Sequence, residues 1–212
     1  MSDNRLVIFG SGGLARELWG WIRNGKDAAL RDRVCAFVVD DEFRSDRDHY
    51  DSLPILRRDA ISGPEPIEYL LAVSEPAARR RLAGELDARG WKAARYVHES
   101  AMLGVNLSIG AGTLIFPRCS ISSDAVIGEH VLVNGGTAIG HDCVIGAYTS
   151  LLGGVSVNGY VAIGEGVLVG AGANIHPRKK VGAGATVGMG SVVIRDVVAG
   201  TTVFGNPARP LD

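Results

Sequence analysis

The chain has 212 residues, 22 Lys and Arg against 23 Asp and Glu, and a formal net charge of -1. That balance excludes a dedicated nucleic-acid binder, which carries a basic excess, and no apolar run approaches the ~20 residues of a membrane span. The three cysteines, Cys35, Cys119 and Cys143, form neither an even disulfide framework nor a CxxC pair, which points to a reducing cytoplasm.

In chain order the first elements read as an α/β unit. The N-terminus runs straight into Leu6-Val-Ile-Phe9, too short for a signal-peptide core and apolar enough for a buried strand. Gly10-Ser11-Gly12-Gly13 is a tight turn, and Leu14 to Arg23 is a helix with Leu14, Leu18, Trp21 and Ile22 on one face. Val34 to Val39 is a second strand, ending in Asp40-Asp41. Ile67 to Val73 is a third, and Pro76 opens a helix running to about Arg89. Strand–helix alternation predicts a parallel, Rossmann-like half-domain over residues 1–96.

Gly10-Ser-Gly-Gly-Leu-Ala15 matches G-x-G-x-x-A between a strand and a helix. Backbone N–H groups of Gly10, Ser11, Gly12 and Gly13 at a helix N-terminus suit a diphosphate. The same glycines also suit a plain strand-to-helix turn. The half-domain is too short for a dinucleotide, so a mononucleotide moiety is the better fit. Asp40 and Asp41 then stand where a base or ribose is read, or simply begin a solvated loop.

Glycine totals 29 residues, about twice the usual ~7% share. Residues 1–96 hold 8 and residues 97–212 hold 21, while Lys and Arg fall from 16 to 6. The glycine-rich part is a repeat. Stepping by six from Val97 through Leu103, Ile109 and Ile115 to Val193 meets seventeen aliphatic residues without a break. Gly or Asn usually follows the aliphatic, and Ala, Val, Thr, Cys or Ser usually stands two before it. A period of six implies three short strands per 18-residue turn of a coil. The aliphatic points inward, the small residue packs beside it, and Gly or Asn takes the corner, where positive φ costs them little.

This pattern resembles the hexapeptide-repeat family, whose members form a left-handed parallel β-helix; the resemblance covers residues 97–212. Joined to the Gly-x-Gly-Gly half-domain, it is similar to the sugar acetyltransferases of the sialic-acid O-acetyltransferase and nucleotide-4-amino-sugar N-acetyltransferase type. The resemblance implies acetyl-CoA as co-substrate, no metal, and a nucleotide-sugar acceptor used in surface-glycan synthesis. It further implies a cytoplasmic homotrimer with active sites between subunits. An O-acetyltransferase on sialic acid or another sugar hydroxyl is the alternative, and a non-catalytic binding or scaffold coil is the second. Zinc chemistry through His141 and His176 lacks a third ligand, since position 181 is the inward Val181.

Of the five histidines, His141 in Ile139-Gly-His-Asp-Cys-Val-Ile-Gly146 matches the family's His-acid pair, where the His is the general base. Neutral imidazole suits proton removal near pH 7, and Asp142 orients the ring or raises its basicity. A structural corner histidine is the plain alternative. The 18-residue step stacks Gly159 on His141, with Asn158, His176 and Arg195 along the same edge. Arg195 falls about 14 Å along it, three strand spacings away. In the family a backbone N–H at the Gly159 position contacts the thioester carbonyl, an oxyanion role. Arg195 suits the phosphates of coenzyme A, as does the basic run Arg178, Lys179 and Lys180, although that run also reads as a solvated corner. Asn134 lies on another edge, where in a trimer it reaches the sugar or is a plain corner residue. Ser150 replaces a second histidine found in some relatives, Gly140 replaces an Asp, and Ser74-Glu-Pro-Ala lacks the relatives' Gly-Asp-Asn. These departures leave the acceptor, amine or hydroxyl, open. Cys143 stands two before an aliphatic, points inward, and is a poor nucleophile.

Overall fold

A computed structural model describes residues 5–40, 47–61 and 67–211. Packing divides the chain into two compact units, residues 1–74 with 81–94, and residues 75–80 with 95–212.

The first unit is a twisted sheet with helices. Its strands are β1 (Arg5–Phe9), β2 (Val34–Val39), β3 (His49–Tyr50), β4 (Leu53–Arg57), β5 (Ile67–Leu71) and β6 (Lys92–Ala93), in the spatial order β3-β4-β2-β1-β5-β6. All neighbours are parallel except β3, which runs antiparallel to β4. β1 is central, and Leu6, Val7, Ile8 and Phe9 are all buried. An uninterrupted apolar run is what a strand covered on both faces requires. Helix α1 (Gly13–Asn24) buries Ala15, Leu18, Trp19 and Ile22. This corrects the expected face by one step: the buried stripe is the i, i+3, i+4, i+7 set, while Leu14 and Trp21 are half-buried. Trp19 Nε1 donates to Asp51 at 3.0 Å, which satisfies the one polar atom of the buried ring. Helix α2 (Ala28–Arg33) is short and capped by Asp27, whose carboxylate accepts from the Leu30 N–H at 2.9 Å. Neither α2 nor β4 is legible in the sequence. β4 contains Pro54, which lacks a ladder donor and argues against a strand.

The second unit is a parallel β-helix. Two-residue strands recur every six residues from Tyr96–Val97 to Val192–Val193. Among the described residues they stack into sheets of eight, six and five strands. Leu114 pairs with Leu132, Leu132 with Ser150, Ser150 with Leu168, and Leu168 with Thr186, the 18-residue step that the repeat predicts. Inward aliphatics such as Ile121, Ile139, Val157 and Ile175 fill the tube beside the small residues Cys119, Ala125, Cys143 and Ala173. Three of the small residues are threonines that would bring a hydroxyl into this core. Thr113, Thr137 and Thr149 each turn Oγ1 to a backbone carbonyl, at Gly128, Leu152 and Gly164, at 2.8–3.0 Å.

The corners correct the expected role of glycine. Positive φ occurs three residues after the inward aliphatic, not directly after it, at Gly136, Asp142, Gly154, Tyr160 and Arg178 among others. The glycine directly after the aliphatic is there for space. A Cβ on Gly140 would stand 2.6 Å from the Gly159 nitrogen of the next coil. The last corner is also shorter than the repeat predicts. Val192–Val193 still pairs with Asn174–Ile175 at 18 residues, but Val181 bridges to Val197 at 16. Arg195 therefore sits in a tightened corner.

Residues 75–80 open helix α3 (Pro76–Asp87) and belong to the coil unit. Arg79 there is only 2% exposed. Its guanidinium donates to the carbonyls of His130, Tyr148 and Thr149 and to Ser150 Oγ, at 2.7–3.0 Å. Burial lowers its pKa to about 10, so it remains charged at neutral pH.

Candidate active site

His141 stands at the corner between the strands Ala138–Ile139 and Val144–Ile145, on the edge where the six-strand and five-strand sheets meet. Its side chain is 56% exposed, and its Nδ1 lies 2.8 Å from Asp142 Oδ2. A carboxylate only accepts, so this contact favours the neutral tautomer with its proton on Nδ1, the one that leaves the Nε2 lone pair free. Asp142 holds the left-handed corner position, at φ 57°, which turns its carboxylate back toward the neighbouring ring.

One coil on, the backbone of Gly159 lies against the imidazole. A Cβ at Gly159 would be 2.8 Å from His141 Nε2 and 2.9 Å from Cε1. The next residue, Tyr160, donates its N–H to the His141 carbonyl at 3.0 Å. Its ring meets the imidazole at 88° with centroids 5.0 Å apart. Arg178, another coil on, places its guanidinium carbon 4.4 Å from the Tyr160 ring centroid. Tyr160 is not a sequence candidate, and Arg178 is one only as part of the basic run expected to meet the CoA phosphates; both fall in the 18-residue column through Asp142.

Asn158 and His176 fall on the predicted edge. The Asn158 amide donates to Asn174 Oδ1 at 3.0 Å and to the Ile175 carbonyl at 2.7 Å, so it ties two coils together. His176 is exposed, with Nδ1 3.2 Å from the Pro177 carbonyl. Lys179 is half-buried and Lys180 exposed on the same corner. Arg195 borders a cavity of about 250 Å³ with Val198, Thr201 and Arg209. Asn134 is on the next edge, and its Oδ1 accepts from the Gly135 N–H at 2.6 Å. Cys143 is buried with its thiol 3.1 Å from the Asn158 carbonyl, and burial raises its pKa. Among the described residues, no three His, Cys, Asp or Glu side chains converge as a metal site.

In the α/β unit the glycine turn leads into the N-terminus of α1. Gly12 caps α1 with no side-chain bond and no acid in the first turn. Cβ atoms on Gly12 or Gly13 would meet nothing within 4 Å, so the helix N-terminus is open. Gly10 is at φ 112° and its N–H donates to Val38 at 2.8 Å, which binds the turn to the end of β2. Ser11 borders a cavity of about 260 Å³ with Arg16, Tyr50 and Ile55. Asp40 lines a larger cavity of about 460 Å³ with Arg57, Arg58, Asp59, Glu85 and Arg89. Its carboxylate is 2.5 Å from Arg58, which also reaches Glu85 and lies over the Phe9 ring. Burial alone would lower the Arg58 pKa, but hydrogen bonds to Glu85 and Asp40 outweigh it and raise it. Asp41 lies outside the described residues.

A hexapeptide coil with an exposed, carboxylate-oriented histidine over a glycine corner, preceded by a parallel α/β unit, defines an acyltransferase of the left-handed β-helix class. No protein-family model matches the chain, and no curated protein matches it by sequence. Solved structures do. WeeI from Acinetobacter baumannii AYE is 30% identical, with TM-score 0.89 over 98% of this chain and 99% of that one. The acetyltransferase domain of PglB from Neisseria gonorrhoeae FA1090, in complex with acetyl coenzyme A, is 28% identical, with TM-score 0.85 over 98% and 100%. A histidine-to-asparagine variant of perosamine N-acetyltransferase from Caulobacter crescentus, in complex with CoA and GDP-perosamine, is 25% identical, with TM-score 0.71 over 99% and 97%. The chain belongs to the hexapeptide-repeat family of nucleotide-sugar N-acyltransferases. Among its described residues no helix is long and apolar enough to cross a membrane.

Proposed function

We propose that the protein transfers the acetyl group of acetyl-CoA to the amine of a nucleotide-linked 4-amino sugar, as a cytoplasmic step in surface-glycan synthesis. The observation that carries this reading is the pairing of His141, held through Nδ1 by Asp142, with the close backbone of Gly159. His141 Nε2 takes a proton from the acceptor nitrogen as that nitrogen attacks the thioester carbonyl. A C–N bond forms, and the Gly159 N–H stabilises the oxyanion. The tetrahedral adduct then breaks its C–S bond, and the thiolate of coenzyme A leaves with the proton returned by the imidazolium. No acyl-enzyme is needed, and the buried Cys143 thiol takes no part.

Asn158, His176, Lys179, Lys180 and Arg195 line the edge on which coenzyme A extends, with the cations toward its phosphates. In the α/β domain, Ser11, Gly12 and Gly13 hold the diphosphate of the sugar nucleotide, while the Gly10 N–H, expected to share that role, is committed to the Val38 carbonyl and shapes the turn instead. Asp40 and Asp41 read its ribose or base. A homotrimer completes the site and brings Asn134 of one subunit toward the sugar bound at another. The outward valines Val126 and Val144, neighbours on the five-strand sheet and 44% and 49% exposed, support a face covered by a second copy.

The test is acetyl-CoA turnover with UDP-, GDP- and dTDP-linked 4-amino sugars, with free sialic acid as a hydroxyl acceptor. One of the amino sugars is expected to be acetylated, and His141→Ala is expected to lose ~10²–10⁴-fold in kcat. Full activity in that variant overturns the assignment of the base. A chain that stays monomeric overturns the shared-site arrangement.

A further inference from the structure

We infer that Tyr160 is a positioning residue for the catalytic base, and that Arg178 locks Tyr160 in place. The inference rests on the reading of His141 as that base. Asp142 fixes one atom of the imidazole, Nδ1, and a single hydrogen bond leaves the ring free to swing about it. Gly159 limits the swing on one side only, because it has no side chain. Tyr160 supplies the remaining contact, ring against ring at right angles and 5.0 Å between centroids. A perpendicular aromatic pair is worth more than its contact area alone. It therefore selects one tilt of an otherwise exposed side chain.

Tyr160 sits at φ 61°, a corner conformation that Arg118, His130, Tyr148 and Arg178 share and that Gly136, Gly154, Gly172 and Gly190 adopt on another edge without strain. The ring contact with His141, and not the backbone, is what distinguishes the tyrosine. Core packing does not account for the tyrosine, because 46% of Tyr160 is exposed. A related trio on another edge makes the contrast. His130 and Tyr148 stack at 5.2 Å, with Arg80 5.0 Å from the Tyr148 ring centroid, but there the histidine is 3% exposed and belongs to the packed interior. At His141 a similar His–Tyr–Arg arrangement faces solvent, where a reacting group has access. Arg178 covers a face of Tyr160 at 4.4 Å, a cation–π distance that holds the phenol ring against rotation. This assigns Arg178 to the tyrosine rather than to the phosphates that Lys179 and Lys180 suit.

Four variants test the inference in the full-length enzyme, with kcat and KM measured for both substrates. Tyr160→Phe keeps the ring and is expected to stay within ~3-fold of wild type, since no hydrogen bond of the hydroxyl is invoked. Tyr160→Gly relieves the backbone and removes the ring. It is expected to fold with an unchanged or raised thermal midpoint and to lose ~10-fold or more in kcat, with little change in either KM. Arg178→Met is expected to lower kcat more than it raises the KM for acetyl-CoA. A loss in kcat with both KM values and the thermal midpoint kept is the signature that a merely structural role, which would lower the midpoint, would not produce. If Tyr160→Phe loses as much as Tyr160→Gly, the hydroxyl acts and positioning is overturned. If Tyr160→Gly keeps full kcat, the inference is overturned. An Arg178→Met effect confined to the KM for acetyl-CoA overturns the role of the arginine. His141→Asn separates the two levels: full activity there overturns the underlying reading, whereas an inactive His141→Asn beside a fully active Tyr160→Gly overturns the positioning role alone.

Discussion

The imidazole of His141 lies so close to Gly159, one coil away, that any side chain on the glycine would collide with Nε2. Gly159 is not at positive φ, so its backbone accepts an L-residue, and the restriction comes from the ring alone. Gly159→Ala should therefore fold normally and displace the base. A shift on the order of 1 Å at a reacting group costs ~10²-fold in rate. That loss is expected in kcat, with a thermal midpoint near wild type. Turnover equal to wild type would show that the ring position does not matter.

Asp142 offers a more modest test. The pair it forms with His141 is exposed, at 42% and 56%, and exposed pairs of this kind contribute ~1 kcal/mol or less. Asp142→Asn still reaches Nδ1 but no longer requires a proton there. We expect a loss of up to ~10-fold in kcat, since about 1.4 kcal/mol corresponds to a factor of ten. A loss of several thousand-fold would mean that the carboxylate acts directly on substrate.

The coil and its candidate edge are legible in the sequence because each hexad touches its copy 18 residues on, so period alone stacks His141 on Gly159 and leads on to Asn158 and His176. What is not legible depends on contacts that no period encodes. Glycine recurs both one and three residues after the aliphatic, and only the stacked backbone tells which of the two needs space and which needs positive φ. β4 is hidden by Pro54. In α1, Trp21 and Trp19 are both plausible for the buried face, and the Asp51 partner, 32 residues from Trp19, decides for Trp19. Arg79 stands in Arg79-Arg-Arg81, which reads as a solvated helix face, yet its partners lie 51 to 71 residues away.

Arg79 should be among the most sensitive positions in the coil unit. Its guanidinium satisfies backbone carbonyls at His130, Tyr148 and Thr149 in a setting closed to water. Removing it leaves those acceptors without a charged donor, at about 3 kcal/mol. Arg79→Met is expected to lower the urea midpoint accordingly. Arg79→Lys should not restore it, because one ammonium cannot span the planar fork of acceptors. A midpoint within error of wild type for either variant would reject this account.

The two kinds of corner glycine predict opposite responses to one substitution. Gly172 is at φ 69° with open space around its Cβ position, and the corresponding corners at Asn106, Asp124 and Asp142 already carry side chains. Asparagine tolerates that conformation, so Gly172→Asn should change stability by no more than about 0.5 kcal/mol. Gly164 follows the inward Ile163, and its Cβ would stand 2.5 Å from the Ala183 nitrogen. There the neighbour is backbone in a hydrogen-bonded ladder, which cannot yield without separating two coils. Gly164→Asn should cost about 1–3 kcal/mol or more, the range for overpacking a close-packed core. Denaturant unfolding of the two variants beside wild type decides the matter. Equal destabilisation would mean that both glycines serve the same need, and the distinction between space and backbone conformation in this coil would fail.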